Sequence, residues 1–192
     1  MPATPERLVG AQFILRRYMP GDGERLSEAV NSSFDHLKTF MPWATPNQSV
    51  EVSERLVRDF SGRWLCGNDF VIGIWSADEK RLLGGCGYHL REGPIELANA
   101  EIGMWIRGER AHKGLGTEVL KTLLRWGFSD WPWLRLSWRC SGANRASQRV
   151  AEKAGMLREG ILRSHAVDPD GARRDTWCFA ALRDEWKDPD HK

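Results

Sequence analysis

One stretch of the sequence combines a strand, a glycine loop and a helix, and it restricts the fold more than any other. From Glu101 to Arg107, apolar residues alternate with other residues at the period of a β-strand. The segment Arg110–Thr117 then contains two glycines, and apolar residues recur from Leu115 to Trp131 on one side of a predicted helix. Free N–H groups and the positive end of the helix dipole make such a helix start an anion site. The stretch therefore predicts an α/β fold with an anion site, although a tight turn without a ligand would show the same pattern.

Two common phosphate-binding loops can be tested against this stretch, and both fail. A P-loop has the pattern G-x-x-x-x-G-K-[ST], but here Lys113 precedes Gly114 and no Lys-Ser or Lys-Thr pair follows a glycine. A dinucleotide-binding loop needs a third glycine, but Val119 stands three residues after Gly116. What remains is a G-x-G loop with a basic lead-in between a strand and a helix.

The bulk composition indicates one globular domain and no nucleic-acid partner. The 192 residues are 41% hydrophobic and 28% charged, and no linker divides them. We therefore predict a single domain over residues 1–192, with a core over about 10–184 and a short polar C-terminal tail. The net charge is only +2 and the basic residues are dispersed along the sequence, which argues against a nucleic-acid partner. The sequence has no apolar run of membrane-spanning length and no apolar segment at the N-terminus, so we expect no membrane partner and a cytoplasmic location.

Cysteine and histidine spacing predicts no metal site. The four cysteines lie far apart without a C-x-x-C pair, and the five histidines lack the spacing of metal ligands. Buried, reduced thiols are therefore expected. Most of the ten tryptophans are expected in the core, but Trp43 lies in the loop-like segment Met41–Ala44. A large ring in a loop often lines a pocket, so Trp43 is predicted to contact the substrate.

The remaining periodicities predict the order β, α, α, α, β, β, β, α, β, α, β, β along the chain. An antiparallel meander comes first and a βαβ crossover follows it. The fold class is therefore α/β (α+β), with a mixed, mostly antiparallel central sheet of about seven strands flanked by helices. The last two strands are joined by a turn at Pro169–Gly171. One helix is predicted over Ser49–Trp64, with a buried face that comprises Val50, Val52, Leu56, Val57 and Phe60.

Four segments of the chain together carry a family resemblance. They are Ala100–Ile106, His112–Glu118, Met41–Trp43, and Asn144–Met156 with the following Glu159, Gly160 and Arg163. In this combination the chain resembles the GNAT-superfamily N-acetyltransferases of the RimJ/RimL type, which acetylate protein N-termini. The likeness extends from the first strand to about Leu182 and implies a GNAT-like fold.

The resemblance implies that acetyl-CoA is the donor and a primary amine the acceptor, which we expect to be the α-amine of a protein or peptide. Two alternatives stay open: transfer to a small amine such as a polyamine, an antibiotic or an aminoacyl nucleotide, and a non-catalytic acetyl-CoA-binding module. By resemblance, the residues at the donor are Met104, Trp105 and Ile106 at pantetheine, His112, Lys113, Gly114, Leu115, Gly116 and Thr117 at the pyrophosphate, and Asn144 near the thiol. Ser147 would stand near the leaving sulfur and donate a proton or a hydrogen bond to it.

The general base is less well defined, because the chain departs from the family at two positions. Ala111 stands where the loop often begins with Gln or Arg, and Ala166 stands where some RimL-like enzymes have a glutamate base. Glu101 is the first candidate, directly or through water, because strand alternation puts it on the same face as Trp105 with Gly103 between them. His165, Asp175 and water are the alternatives.

Two further points stay open at the level of the sequence. Asn144 and Ser147 lie three residues apart in the first turns of a predicted helix, where Asn and Ser also serve as caps. The tryptophan content and the final hairpin leave a homodimer open.

Overall fold

The computed structural model describes residues 5–168 and 171–190. Its strands are β1 (Arg7–Val9), β2 (Phe13–Arg17), β3 (Phe70–Ser76), β4 (Leu82–His89), β5 (Asn99–Ile106), β6 (Arg135–Ser141), β7 (Leu157–Val167) and β8 (Arg173–Leu182). Its α-helices are α1 (Gly23–Ser32), α2 (Phe34–Leu37), α3 (Val50–Leu65), α4 (Leu115–Ser129) and α5 (Arg145–Lys153). The predicted turn at Pro169–Gly171 includes residues 169 and 170, which lie outside the described residues.

The strands form one mixed sheet in the order β1-β2-β3-β4-β5-β6-β8-β7. The pair β5–β6 is parallel and has α4 between its strands in sequence, whereas β1–β2, β2–β3, β3–β4, β6–β8 and β7–β8 are antiparallel. The predicted fold class, with its meander and crossover, is confirmed. The sheet has eight strands rather than about seven because Arg7–Val9 pairs with β2, and three residues are too few to show an alternation.

The described residues fall into two compact units. The first comprises the residues up to His89 together with Met104–Ala111, and the second comprises Leu90–Gly103 and the residues from His112 onward. Strand β5 therefore contributes its first part to the second unit and its last part to the first. That the chain is a single domain stays a prediction. No helix among residues 5–168 and 171–190 is long and apolar enough to cross a membrane.

In the first unit, α1 and α3 approach each other closely because glycine stands at their contact. A Cβ atom on Gly23 would lie 2.6 Å from the Cα atom of Glu54. The Glu54 carboxylate accepts hydrogen bonds of 3.1 Å from the backbone N–H groups of Gly21 and Gly23, which satisfies donors at the start of α1. The core beside these helices comprises Ile14, Tyr18, Leu26, Ala29, Val30, Val57, Trp75 and Leu82.

The predicted buried face of α3 is wrong at three of its five positions. Val50, Val52 and Leu56 are exposed, whereas Val57 is buried and Phe60 packs against the core. The helix instead buries Ser53, Val57, Ser61 and Trp64. Both faces have helical spacing, but the buried serines have polar partners, and the Ser61 Oγ atom accepts a hydrogen bond of 3.4 Å from Arg17 Nη1. The Ser53 Oγ atom accepts a hydrogen bond of 2.7 Å from Gln48 Nε2, so its burial leaves no unpaired hydroxyl oxygen.

In the second unit, α4 packs in the core and the segment 186–190 contacts it. The buried face of α4 includes Leu115, Val119, Leu120, Leu123 and Leu124, as predicted. Beyond the predicted core, the Trp186 ring lies 5.8 Å from the Phe128 ring, between centroids, and its Nε1 donates to the Ala154 carbonyl oxygen at 2.9 Å. Arg125 pairs with Asp188 and Asp190, each at 2.5 Å. The segment 186–190 therefore links α4 to the end of α5.

Removal of the Trp186 ring is expected to destabilise the second unit. Trp186→Ala loses the contact with Phe128 and the hydrogen bond to Ala154, and we expect the free energy of unfolding to fall by about 2–3 kcal/mol. Trp186→Phe keeps a ring at this position and should lose only about 1 kcal/mol. Urea denaturation followed by far-UV circular dichroism measures both values. An unchanged denaturation midpoint in Trp186→Ala would show that the segment does not stabilise α4 and α5.

Candidate active site

The glycine loop begins α4 in the second unit and leaves backbone donors at the helix start. Gly114 is the N-cap residue, and no side chain caps the helix. The Gly114 carbonyl oxygen accepts hydrogen bonds from the N–H groups of Thr117 and Glu118, at 3.0 and 3.1 Å. The N–H groups of Leu115 and Gly116 come earlier, where an α-helix offers them no acceptor. The loop therefore has the backbone geometry of an anion site.

Two residues with left-handed backbone conformation shape this loop. Gly114 has φ of 87° and His112 has φ of 59°. Positive φ is strained for most residues with a side chain, which explains the glycine at position 114. Lys113 lies between them with its side chain exposed, and it supplies a positive charge beside the helix start.

Glu101 marks the end of the pairing between β5 and β6. That pairing covers Asn99, Ala100 and Glu101, and β5 continues to Ile106. The Glu101 side chain is only 4% exposed, and its Oε1 atom forms an ion pair with Arg91. Its Oε2 atom makes no hydrogen bond with any described residue and lies 3.6 Å from Arg139 Nη1. A buried carboxylate oxygen of this kind can accept a hydrogen bond from an amine or from water.

Asn144 and Ser147 lie at the start of α5 in the same unit, and the structure shows a capping contact between them. The Asn144 Oδ1 atom accepts a hydrogen bond of 3.0 Å from the Ser147 backbone N–H, so Asn144 is the N-cap. The Ser147 hydroxyl oxygen accepts a hydrogen bond of 3.1 Å from Trp138 Nε1. Since that oxygen is an acceptor for Trp138, its own proton is directed elsewhere.

Cys140 lies beside Ser147 and stays a neutral thiol near neutral pH. Burial raises the pKa of the Cys140 thiol, and a hydrogen bond with Ser147 offsets this only in part. The four cysteines are all free, as expected for reduced thiols, but Cys66 is exposed, so the expectation of burial is wrong there. Because only a thiolate is a strong nucleophile, the neutral Cys140 thiol is a weak one.

The predicted residues of the first unit include a pair of tryptophans in contact. The Trp43 ring, 46% exposed, lies 5.9 Å from the Trp105 ring, between centroids, in an edge-to-face arrangement. Trp105 follows Met104 and precedes Ile106 at the end of β5. A Cβ atom on Gly84 would collide with the Trp105 carbonyl oxygen, and one on Gly85 would collide with Trp105 Nε1. These two glycines of β4 therefore make room for Trp105.

The alternative bases are engaged in the hairpin of β7 and β8. Asp175 Oδ1 accepts a hydrogen bond of 2.9 Å from the Ser164 backbone N–H, where Ser164 has φ of 52° in an irregular part of β7. His165 Nδ1 lies 3.1 Å from Thr176 Oγ1. Asp175 thus supports a strained turn of the strand, and Ala166 offers no titratable group.

Sequence reasoning missed three charged residues around Glu101. Arg91 and Glu92 come from the segment after β4, and Arg139 comes from β6. The position of Arg139 near Glu101 could have been predicted from strand alternation. The parallel register pairs Glu101 with Ser137, and alternation puts Arg139 on the same face as Ser137. Arg91 and Glu92 lie in an irregular segment, where no periodicity shows which side chains turn inward. Within residues 5–168 and 171–190, no three His, Cys, Asp or Glu side chains lie close enough to hold a metal ion.

Comparison with known proteins identifies similar chains over nearly the full length. The model of the family described as "Acetyltransferase (GNAT) domain" matches residues 12–157. The chain is 25% identical over 182 residues to "Putative ribosomal N-acetyltransferase YdaF" of Bacillus subtilis (strain 168), which covers 93% of this chain and 96% of that protein. It is 26% identical over 173 residues to the N-acetyltransferase YoaA of the same organism, over 90% of this chain and 94% of that protein.

Solved structures share the fold. The ribosomal L7/L12 α-N-protein acetyltransferase RimL, in complex with coenzyme A, superposes with a TM-score of 0.83 at 19% identity, over 92% of this chain and 98% of that chain. The microcin C7 self-immunity acetyltransferase MccE, in complex with acetyl-CoA and AMP, superposes with a TM-score of 0.79 at 18% identity, over 95% of this chain and 97% of that chain.

Proposed function

Since the chain belongs to the acetyltransferase (GNAT) domain family, we propose that it transfers the acetyl group of acetyl-CoA to the α-amine of a protein or peptide. The chain is an acetyl-CoA-dependent N-acyltransferase. A protein acceptor is supported by the names of the YdaF relative and of RimL, which refer to ribosomal acetylation. The observation that carries the proposal is the buried Glu101 Oε2 atom, an acceptor that lacks a hydrogen-bond donor in the described chain.

We assign the donor's pyrophosphate to the loop of residues His112, Lys113, Gly114, Leu115, Gly116 and Thr117. The left-handed residues, the uncapped helix start and the free N–H groups of Leu115 and Gly116 support this assignment. Asn144 uses its Oδ1 atom for the cap, so its Nδ2 amide group would donate a hydrogen bond to acetyl-CoA near the thiol. The pantetheine contacts of Met104, Trp105 and Ile106 and the substrate contact of Trp43 stay predictions, as do the cytoplasmic location and the homodimer.

In the proposed reaction, Glu101 takes the proton that the acceptor amine loses, directly or through one water. The amine nitrogen forms a bond to the acetyl carbonyl carbon, and the carbon–sulfur bond breaks. Ser147 donates its hydroxyl proton, or a hydrogen bond, to the departing sulfur and regains a proton from solvent, and Glu101 releases the proton that it took to solvent. The products are an N-acetylated amine and free coenzyme A, and one proton is released overall when the acceptor begins as an ammonium ion.

A thiol-release assay tests the acceptor. Purified protein with acetyl-CoA should release free thiol in the presence of peptides with a free α-amine and should not do so with the same peptides acetylated at the N-terminus. Mass spectrometry should then place the acetyl group on the α-nitrogen. Release with a polyamine or an aminoacyl nucleotide only would replace the proposed acceptor by a small amine. Binding of acetyl-CoA without release on any amine would support a non-catalytic module.

Loss of the Ser147 hydroxyl is expected to slow turnover without loss of the α5 cap. Ser147→Ala keeps the backbone N–H that Asn144 caps, so we expect kcat to fall about tenfold while the KM for acetyl-CoA stays near the wild-type value. Trp138→Phe serves as a control, because it removes the other half of the Trp138–Ser147 hydrogen bond and leaves the hydroxyl in place. Equal losses of kcat in the two variants would assign Ser147 a structural role only.

A further inference from the structure

Four charged side chains of the second unit form a chain of alternating sign, which we call the Glu101 cluster. Arg91 pairs with Glu101 Oε1, Arg139 Nη1 lies 3.6 Å from Glu101 Oε2, and Arg139 Nη2 donates to Glu92 Oε1 at 2.8 Å. Arg91 and Glu92 precede β5, which carries Glu101, and β6 carries Arg139. The cluster thus contains two arginines that differ in how firmly they are held.

The two arginines differ in exposure and in their partners. The Arg91 side chain is 57% exposed and comes from an irregular segment, and its ion pair is with Glu101. Arg139 is 36% exposed, comes from a strand, and is also held by Glu92. The exposed Arg91 guanidinium is already largely solvated, so Arg91 itself loses little when it leaves Glu101, provided that another cation takes its place. Arg139 is expected to stay.

Glu101 itself cannot lose a cation without a replacement. Its side chain is almost fully buried, and a buried carboxylate that loses its ion-pair partner is strongly destabilising. The ammonium group of an acceptor carries the charge of the departing guanidinium and has three N–H donors. It can therefore replace Arg91 at Glu101 and reach the Oε2 atom that makes no hydrogen bond in the described structure.

This exchange leaves the Arg91 guanidinium beside the bound acceptor without its carboxylate partner. An acceptor that carries a carboxylate near its amine supplies that partner, and then no charge of either molecule is left unpaired. We propose that Arg91 selects acceptors of this class, namely peptides with an aspartate or glutamate at the first or second position. The proposal rests on the proposed function, because it takes Glu101 as the group that receives the acceptor amine.

Matched peptides that differ by one charge test this selection. In each pair, Asp or Glu at the first or second position is compared with Asn or Gln, and kcat/KM is measured with wild type, Arg91→Gln and Arg91→Lys. Wild type should prefer the acidic peptide by about fivefold, Arg91→Gln should lose the preference, and Arg91→Lys should keep part of it. Arg63→Gln is the control, because Arg63 is similarly exposed at 51% and pairs with Asp59 at 2.7 Å on α3. It should keep the preference.

Several results would overturn the proposal. One is a wild-type enzyme without an acidic preference, and another is a preference that Arg91→Gln retains. A third is an equal decrease of KM for both peptides in Arg91→Gln, because Arg91 would then only compete with the amine. Dissociation constants of the same peptides from calorimetry give the same comparison without turnover. These dissociation constants test the role of Arg91 even if no peptide is acetylated. In that case the thiol-release assay has already rejected a peptide as the acceptor.

Discussion

Replacement of Gly116 by glutamate is expected to abolish acetyl-CoA binding while the protein stays folded. Gly116 is the second residue of α4, and its N–H group is one of the two donors free at the helix start. A glutamate there places a negative side chain where the pyrophosphate is proposed to bind, and like charges in contact cost several kcal/mol. The affinity should therefore fall at least about 100-fold. The fold should persist, because glutamate is a good helix former and favours the first turn of a helix.

Titration calorimetry with acetyl-CoA measures this effect, and Gly62→Glu is its control. Gly62 lies on the exposed side of α3, and a Cβ atom built on it meets no atom within 4 Å. The control introduces the same residue into a helix of the first unit and should bind acetyl-CoA with wild-type affinity. Wild-type affinity in Gly116→Glu would overturn the assignment of the pyrophosphate to this loop.

The elements that sequence could predict are those whose pattern is long and has one interpretation. The stretch from β5 to α4 shows an alternation followed by a one-sided apolar stripe, and both the parallel pairing and the buried face of α4 agree with it. In α3, by contrast, the large apolar residues and the small polar residues both recur at helical spacing. The chain buries Ser53 and Ser61, whose hydroxyl oxygens accept hydrogen bonds from Gln48 and Arg17, and Leu56 stays exposed. Hydrophobicity alone predicts a face that shares only Val57 with the fully buried residues of the helix.

The candidate site likewise has one part that the sequence predicts and one part that it does not. The glycine loop could be predicted because its geometry is local: Gly114 adopts positive φ and α4 begins at the next residue. The surroundings of Glu101 could not, because its ion pairs join β5 to an irregular segment and to β6. An irregular segment carries no periodicity, so nothing in the sequence shows that Arg91 turns toward a buried carboxylate while most of its side chain stays in solvent. The proposed selection of acidic acceptors therefore depends on tertiary structure.

Glu101→Gln is expected to lower kcat by roughly 100- to 1,000-fold at saturating acetyl-CoA and to leave the affinity for acetyl-CoA near that of wild type. Glutamine has nearly the same size and its amide oxygen can still accept a hydrogen bond from Arg91, but it cannot take a proton from the acceptor. The donor's pyrophosphate is assigned to the start of α4, so its binding should not depend on the Glu101 charge. Stopped-flow or steady-state thiol release gives kcat, and calorimetry gives the affinity.

A structural explanation of such a loss has to be separated from a chemical one, because the substitution also leaves Arg91 without a carboxylate partner and removes one of the two carboxylates beside Arg139. Asp188→Asn makes a comparable change elsewhere in the second unit, since the Asp188 side chain is 10% exposed and pairs with Arg125 at 2.5 Å. If Asp188→Asn lowers stability as much as Glu101→Gln but keeps wild-type kcat, loss of an ion pair alone cannot account for the effect.

Glu101→Asp then separates the two routes of proton transfer. A shorter carboxylate should abolish direct contact with the amine, whereas proton transfer through water tolerates the added gap. Partial turnover in Glu101→Asp would therefore favour the water-mediated route. Turnover as low as that of Glu101→Gln would favour the direct route.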